Sequence, residues 1–405
     1  MERVDCVIAG CGPAGAVLGL LLARAGLRVT VVEKHGDFLR DFRGDTIHAS
    51  TLTLLDELGL GDEFARLDQE RIAEVRVAVG DREWSLADFR RIPGRHREIA
   101  LMPQWDFLDF VTRHAAGYPG FRLLMETEAT GLTVEQGHVT GLTVSGGAIP
   151  ATLTVAADGR SSTVRRAARL PVRAYDAPMD VLWFRLPKKP QDPDESMGRF
   201  QSGRIVVLID RGEYWQCAFL IPKGSIEETK RAGLPAFRQT VAQVMPVFAD
   251  RVDDLKDWDQ IKLLTVAVDR LERWHRPGLL CIGDAAHAMS PIGGVGVNLA
   301  VQDAVAAANI LWQPLKAATV TEDDLDRVQK RREFPTRVIQ RLQVFIQNNV
   351  VDRALGPDKG IDAPLALRLM SRFAPLRRIP ARIVGLGVRP EHVHSPESAA
   401  PAPLG

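Results

Sequence analysis

Short apolar runs alternate with longer helical patterns through the first part of the chain. Val4 to Ala9 is a mostly apolar run. Gly10-Cys11-Gly12-Pro13-Ala14-Gly15 follows at once, and an apolar helical pattern runs to Ala25, with Gly26 placed to cap it. A second strand, Arg28 to Val32, ends in Glu33, and Thr51 to Leu60 reads as a helix. Two alternating runs, 74–79 and 83–86, precede a helix from Pro103 to Ala116. Four short strands lie between Phe121 and Ala157, the last leading into Asp158-Gly159-Arg160. The segment 178–264 changes character. Strand patterns at Asp180–Leu186, Ile205–Ile209 and Trp215–Ile221 alternate with turn clusters, and one helix, Pro235–Val244, lies among them. That pattern predicts a mainly antiparallel sheet. Leu279 to Ile282 reads as a buried strand closed by Gly283-Asp284. A glycine loop from Ser290 to Gly296 then opens a helix, Val297–Leu311. Beyond it the chain is mostly helical from Glu322 to about Val384, with prolines as breaks. The polar, proline-rich stretch from Glu391 is expected to be disordered.

These elements predict an α/β chain with a discontinuous nucleotide-binding domain, formed by 1–71, 98–177 and 265–320. Segments 72–97 and 178–264 form an inserted sheet domain, 321–390 form C-terminal helices, and 391–405 form a tail. A chain of 405 residues with 45% hydrophobic and 25% charged residues is ordinary for a globular protein, so a large core is expected. The formal net charge of +1 offers no general attraction for nucleic acid. Cys6, Cys11, Cys217 and Cys281 form no CxxC pair, which points to a reducing compartment and away from a metal site. The first strand begins almost at Met1, leaving no room for a signal peptide, so a cytoplasmic location is expected.

Two stretches carry the chemistry. The first GxGxxG has a strand before it, a helix after it, and an acid eighteen residues past its last glycine (33 − 15). That is the full context of a dinucleotide site. Gly10 makes the turn, Gly12 admits a pyrophosphate, Gly15 packs helix on strand, and Pro13 suits the first helical turn. Glu33 is placed to bind ribose hydroxyls. In the second stretch, a strand delivers Asp284 to its carboxyl end, where ligands of open α/β sheets bind. Gly293, Gly294 and Gly296 let backbone approach a flat ring. The following helix N-terminus offers N–H groups to a ring that becomes anionic on reduction. Those are the needs of a flavin.

GCGPAG with Glu33, then Asp158-Gly159, then GDAAHAMSPIGGVGVN stand in this order. Together they resemble the class A FAD-dependent aromatic hydroxylases, of the para-hydroxybenzoate and ubiquinone-hydroxylase type, over nearly the whole chain. The resemblance implies a glutathione-reductase-like FAD domain and noncovalent FAD reduced by transiently bound NAD(P)H. It also implies that O2 is used, through a flavin 4a-hydroperoxide, to hydroxylate a small electron-rich aromatic substrate. Matched to that pattern, Gly10, Gly12, Pro13, Ala14 and Gly15 hold the pyrophosphate and Glu33, with Lys34, the ribose. Arg43 in DFRGDTIHAST and Gln104 in MPQWDFLDF match further FAD contacts. Asp158 and Gly159 match the motif that supports the pyrophosphate and flavin reduction. Asp284 matches the ribityl acid, and Pro291, Gly294, Gly296, Val297 and Asn298 match the loop and helix start beside the isoalloxazine.

The substrate pocket is expected to be lined from the inserted sheet. Trp183 and Arg185 share one face by period two, and Phe184 and Leu186 the other. Arg199, Phe200, Tyr214, Trp215 and Gln216 are further candidates. His48 and His287 are candidate acid–base groups, though His287 reads first as shaping the loop and His48 as capping or packing a helix start. The substrate-activating tyrosine pair and carboxylate-binding arginine of the best-known hydroxylase have no clear match, which puts para-hydroxybenzoate itself in doubt. A flavin halogenase would carry a WxWxIP-like stretch, which DVLWFRLPKKP lacks. A flavin-dependent reductase of prenyl chains and a non-enzymatic FAD-containing binding protein share the same cofactor motifs and stay open. The basic, partly amphipathic segment Leu367–Arg389 raises a membrane contact, but Pro375 and Pro380 interrupt its moment. It therefore reads first as helices packed on the FAD domain.

Overall fold

Five strands lie parallel in one sheet, in the order Leu279–Cys281, Gly147–Ala156, Val4–Ala9, Val29–Val32 and Phe121–Leu124, with His275–Arg276 added antiparallel at one edge. The computed structural model describes residues 2–39, 46–80, 82–192, 196–201, 203–351 and 365–398. The central strands are mostly apolar because helices cover the sheet. Helix Pro13–Arg24 packs against helices Gln104–Ala116 and Gly296–Lys316, and all three feed the main core. One described stretch, Ile292–Lys316, is long and apolar enough to cross a membrane, and 78% of its apolar window is buried inside the protein as core.

A second sheet of seven strands runs in the order Lys262–Leu264, Met179–Pro187, Tyr214–Pro222, Arg204–Asp210, Met197–Gln201, Glu74–Val79 and Arg82–Asp88. Its pairs are antiparallel except Met197–Gln201 with Glu74–Val79. The alternation along its strands separates two faces. Phe184, Leu186, Leu208, Trp215 and Phe219 pack under Phe237, Val241 and Phe248 of the helical layer. Val181, Trp183, Ile205, Ala218 and Leu220 turn the other way and meet Ile292, from the glycine loop, and Val351.

Several elements differ from expectation. Met197–Gln201 is a strand despite its mixed MGRFQ sequence, because neighbours on both sides pair with it. Helix Ile226–Ala232 buries none of its residues, so it lacks the apolar stripe by which a helix is read. The helix that opens at Gly296 continues past Leu311 to Lys316, through Pro314, because Leu315 still reaches the core. The stretch from Glu391 to Ser398, expected to be disordered, is tied down. Arg24 donates to the carbonyl of Ser395 at 2.9 Å and pairs with Glu397 at 3.1 Å, while Glu57 accepts from His392 and from the Val393 N–H. Composition missed this because polar groups of distant helices supply the partners that a local reading cannot count. The apolar side of the C-terminal helices is only partly covered. Ala381 and Gly385 pack inward against Phe89 and Ile92, whereas Leu369, Phe373, Leu376 and Ile379 are exposed, since two short helices broken by prolines cannot keep one continuous face.

Candidate functional site

Three tight turns meet at the carboxyl edge of the parallel sheet. Gly10, at φ +93°, follows the strand Val4–Ala9, and a Cβ there would lie 2.5 Å from the Ala157 carbonyl oxygen. Only glycine lets the first turn lie against the Asp158 turn. A Cβ on Gly15 would lie 2.0 Å from the Gly10 carbonyl oxygen, so the helix closes directly on its own turn. A Cβ on Gly12 would meet nothing within 4 Å. The loop is open there, at the N-terminus of Pro13–Arg24, where first-turn N–H groups have no helical acceptor. Glu33 lies behind this opening. Its Oε2 accepts from the Cys11 N–H and its Oε1 from the His35 N–H, each at 3.2 Å. Lys34 is exposed beside it.

The second turn is built around Asp158. Ser162 Oγ donates to Oδ1 at 2.5 Å and the Val164 N–H to Oδ2 at 3.1 Å, so this carboxylate holds the first turn of the helix Thr163–Ala167, whose N-cap is Ser162. Gly159 takes φ +81°. The third turn holds Gly283 against the first helix, its Cβ position 3.0 Å from the Ala14 Cβ. Asp284 therefore projects beside the glycine turn, half-exposed, with Oδ2 3.6 Å from Nη2 of Arg160. Buried Arg165 bridges the second and third turns, donating to the carbonyls of Arg160 at 2.5 Å and Ala285 at 3.4 Å, and it pairs with Asp269 at 3.1 Å. The structure thus brings together Gly10, Gly12, Pro13, Ala14, Gly15, Glu33, Asp158, Gly159 and Asp284. Gln104 opens its own helix, half-buried. Arg43 lies outside the described residues.

The glycine loop forms the second half of the site. Pro291 starts a single turn in which Gly293 and Gly294 take φ +79° and +61°. A Cβ on Gly294 would lie 2.5 Å from Thr46 Oγ1. Gly296 then begins the long helix. Val297 and Asn298 offer this region only their backbone, because both side chains are buried. Asn298 Oδ1 accepts from Ser50 Oγ and Thr51 Oγ1 at 2.8 Å each, and so joins helix Ala49–Glu57 to helix Gly296–Lys316.

Three pocket candidates are corrected. Trp215 sits on the far face of the seven-stranded sheet, fully buried, with Nε1 donating to Asp192 at 2.9 Å. Period two could pair it with its strand neighbours but could not say which face turns toward the loop. His48 is also fully buried, with Nδ1 2.6 Å from the Val384 carbonyl. Burial pushes its imidazole down to about 4, against the backbone groups of Val384 and Gly294, so it is a poor proton acceptor near neutrality. Arg199 turns to Gln201 at 2.8 Å, away from the loop-facing side. Trp183 and Phe200 do face the side that meets Ile292. The register pairs Arg185 with Gln216 and places Tyr214 on that same face, where the Arg185 guanidinium lies 4.9 Å over the Tyr214 ring.

Sequence reading missed Arg160 as a partner of Asp284, and it missed Asp303. Asp303 is a fully buried carboxylate in a largely apolar helix, beside the buried polar Asn298 and Gln302, and a charge on that face was the available signal. Burial opposes its charge, but His287, Arg332 and the Gly283 N–H together hold its carboxyl below the usual range. His287 belongs to this buried group, with its ring 4.9 Å from that of Trp274.

The model of the FAD binding domain family matches residues 3–342. Among curated proteins, the chain is 33% identical to 6-methylpretetramide 4-monooxygenase of Streptomyces rimosus, covering 94% of this chain and 92% of that protein. It is 27% identical to kynurenine 3-monooxygenase of Stenotrophomonas maltophilia, over 91% of this chain and 85% of that one. Among solved structures, the OxyS anhydrotetracycline hydroxylase of Streptomyces rimosus shares the fold, with TM-score 0.76 and 24% identity over 96% of this chain and 77% of that one.

Proposed function

The chain belongs to the FAD binding domain family and is an FAD-dependent monooxygenase of aromatic substrates, and on that premise we propose how its own residues divide the work. The observation that carries the reading is the meeting of three turns at one sheet edge. The open Cβ position of Gly12, the Glu33 carboxylate and the half-exposed Asp284 suit the parts of one extended dinucleotide. Gly12 and the first-turn N–H groups after Pro13 bind the pyrophosphate. Glu33, with Lys34 beside it, binds the adenosine ribose. Asp158 and Gly159 shape the turn behind the pyrophosphate, and Arg160 orients the Asp284 carboxylate toward the ribityl hydroxyls. Arg43 and Gln104 supply further contacts from the family pattern. Backbone from Pro291 to Asn298, opening the long helix, borders the flavin ring.

Bound FAD, reduced by NAD(P)H, supplies the activation of O2. The protein supplies orientation and dryness. The inserted sheet is the substrate layer, and the aromatic substrate lies between its loop-facing side and the Ile292–Gly294 turn. Trp183 and Tyr214 offer ring faces there, and Arg185 and Gln216 offer hydrogen-bond donors to phenolic or carbonyl oxygens. The likeness to a 6-methylpretetramide monooxygenase over nearly the whole chain supports a fused-ring phenolic substrate. The test is NAD(P)H oxidation under O2 with a panel of fused-ring and single-ring phenols, followed by mass analysis with labelled O2. A substrate should speed oxidation and gain one labelled oxygen atom. Oxidation that no phenol accelerates, with no label incorporated, would refute the reading.

A further inference from the structure

The turn that carries Asp284 is held from behind by a buried ionic chain that ends in the C-terminal segment. Asp303 lies on the helix Gly296–Lys316 and is fully buried. Its Oδ2 accepts from the Gly283 N–H at 3.1 Å and lies 2.5 Å from His287 Nε2. Its Oδ1 accepts from Arg332 Nε at 3.1 Å. Arg332, 1% exposed, donates through Nη1 to Glu391 at 3.0 Å and to the Arg389 carbonyl at 3.2 Å. Glu391 also accepts from Arg331 Nε at 2.7 Å, and its N–H donates to Gln302 Oε1 at 2.5 Å, next to Asp303 on the same helix. The chain of contacts therefore runs from residue 391 to the amide immediately before Asp284.

Stability alone is a weak reason for this arrangement. Taking ions out of water is expensive, and apolar residues of like volume usually serve a core as well or better. What ions supply is direction. A carboxylate with four sites to fill fixes the peptide that donates to it, and a guanidinium fork fixes the carboxylate. Here the fixed peptide is Gly283, whose φ of +57° sets where Asp284 leaves the turn.

We propose that Asp303 is a positioning residue for FAD, and that Glu391, through Arg332, holds it in place. The C-terminal segment thus sets the aim of Asp284 at the cofactor. The inference rests on the reading that Asp284 binds the ribityl chain. The test is titration of apo-protein with FAD, followed by flavin fluorescence and by the visible circular dichroism of bound flavin. Asp303→Asn and Glu391→Gln should each weaken FAD binding at least about tenfold, the equivalent of one charge-assisted hydrogen bond, and should alter the visible dichroism. In a double-mutant cycle, Asp303→Asn should add little to Asp284→Ala, because both act through one carboxylate. The pair Arg332→Met with Glu391→Leu replaces buried ions by apolar groups and keeps the core filled. It should stay folded and still bind FAD weakly. Lowered thermal stability with unchanged FAD affinity and dichroism, or full additivity in the cycle, would overturn the proposal. If Asp284→Ala itself leaves affinity unchanged, the ribityl assignment falls first and this proposal with it. If only Asp284→Ala weakens binding, the assignment stands and this proposal alone fails.

Discussion

His48 makes the stability of this protein pH-dependent between the ordinary imidazole range and about pH 4. Its ring is fully buried, and Nδ1–H donates to the Val384 carbonyl at 2.6 Å, joining the start of helix Ala49–Glu57 to helix Arg378–Gly385. Burial lowers its pKa from 6.5 to about 4. Above the upper value the ring is neutral in both folded and unfolded chains and contributes no pH dependence. Between the two values the unfolded chain takes up a proton that the folded chain refuses, so stability falls as pH falls. Below the lower value both states take it up and the loss levels off. From about pH 7.5 to about pH 5 roughly one and a half units of this window are crossed, which corresponds to about 2 kcal/mol. His48→Asn keeps an amide donor for Val384 and removes the titration. Urea unfolding of wild type and variant, followed by far-ultraviolet circular dichroism at several pH values, isolates this imidazole from the carboxylates and the remaining histidines, which both proteins share. The stability gap should move by about 2 kcal/mol in favour of the variant as pH drops from about 7.5 to about 5. A gap that stays constant across that range would refute the argument that burial depresses this histidine.

Three further outcomes are expected. Asp284→Ala removes the proposed carboxylate contact to the ribityl chain, worth ~1.5–3 kcal/mol, so the purified variant should lose its yellow colour on dialysis, and retention of stoichiometric FAD would count against the site. Trp215→Ala should destabilise by ~3–5 kcal/mol, as a filled core position does, whereas Trp183→Ala should raise the KM for the aromatic substrate more than it lowers the melting temperature; the reverse pattern would invert the two faces of the sheet. Asp192→Asn leaves Arg251, 2% exposed, without its buried carboxylate and should lower unfolding free energy by ~3–5 kcal/mol in denaturant titration, and a change under about 1 kcal/mol would show that the pair is dispensable.

The local part of the design is legible in the residues. Apolar runs bounded by glycine mark Val4–Ala9 and Leu279–Cys281, and the glycine spacing after the first marks a turn onto a helix N-terminus. Strand periodicity also separates Trp183 from Phe184 along Met179–Pro187. These features depend on neighbours within a few positions, where sterics and burial act directly on the sequence. What the tertiary structure decided is which distant groups meet. Period two says that Trp215 and Tyr214 point opposite ways, but only the packing of Phe237 and Phe248 on one side, and of Ile292 on the other, says which way is which. His48 reads from the sequence as a packing or capping residue at a helix start, but only the fold shows that Val384, 336 positions later, closes over it. Glu391 looks like part of a solvated tail until Arg332 claims it, and Arg160 looks like a turn residue until Asp284 appears across the edge. A buried charge requires a partner, and a polar tail becomes ordered when one is supplied. Neither requirement names the partner, because pairing across the fold is set by where the chain brings its elements together and leaves no period in the sequence.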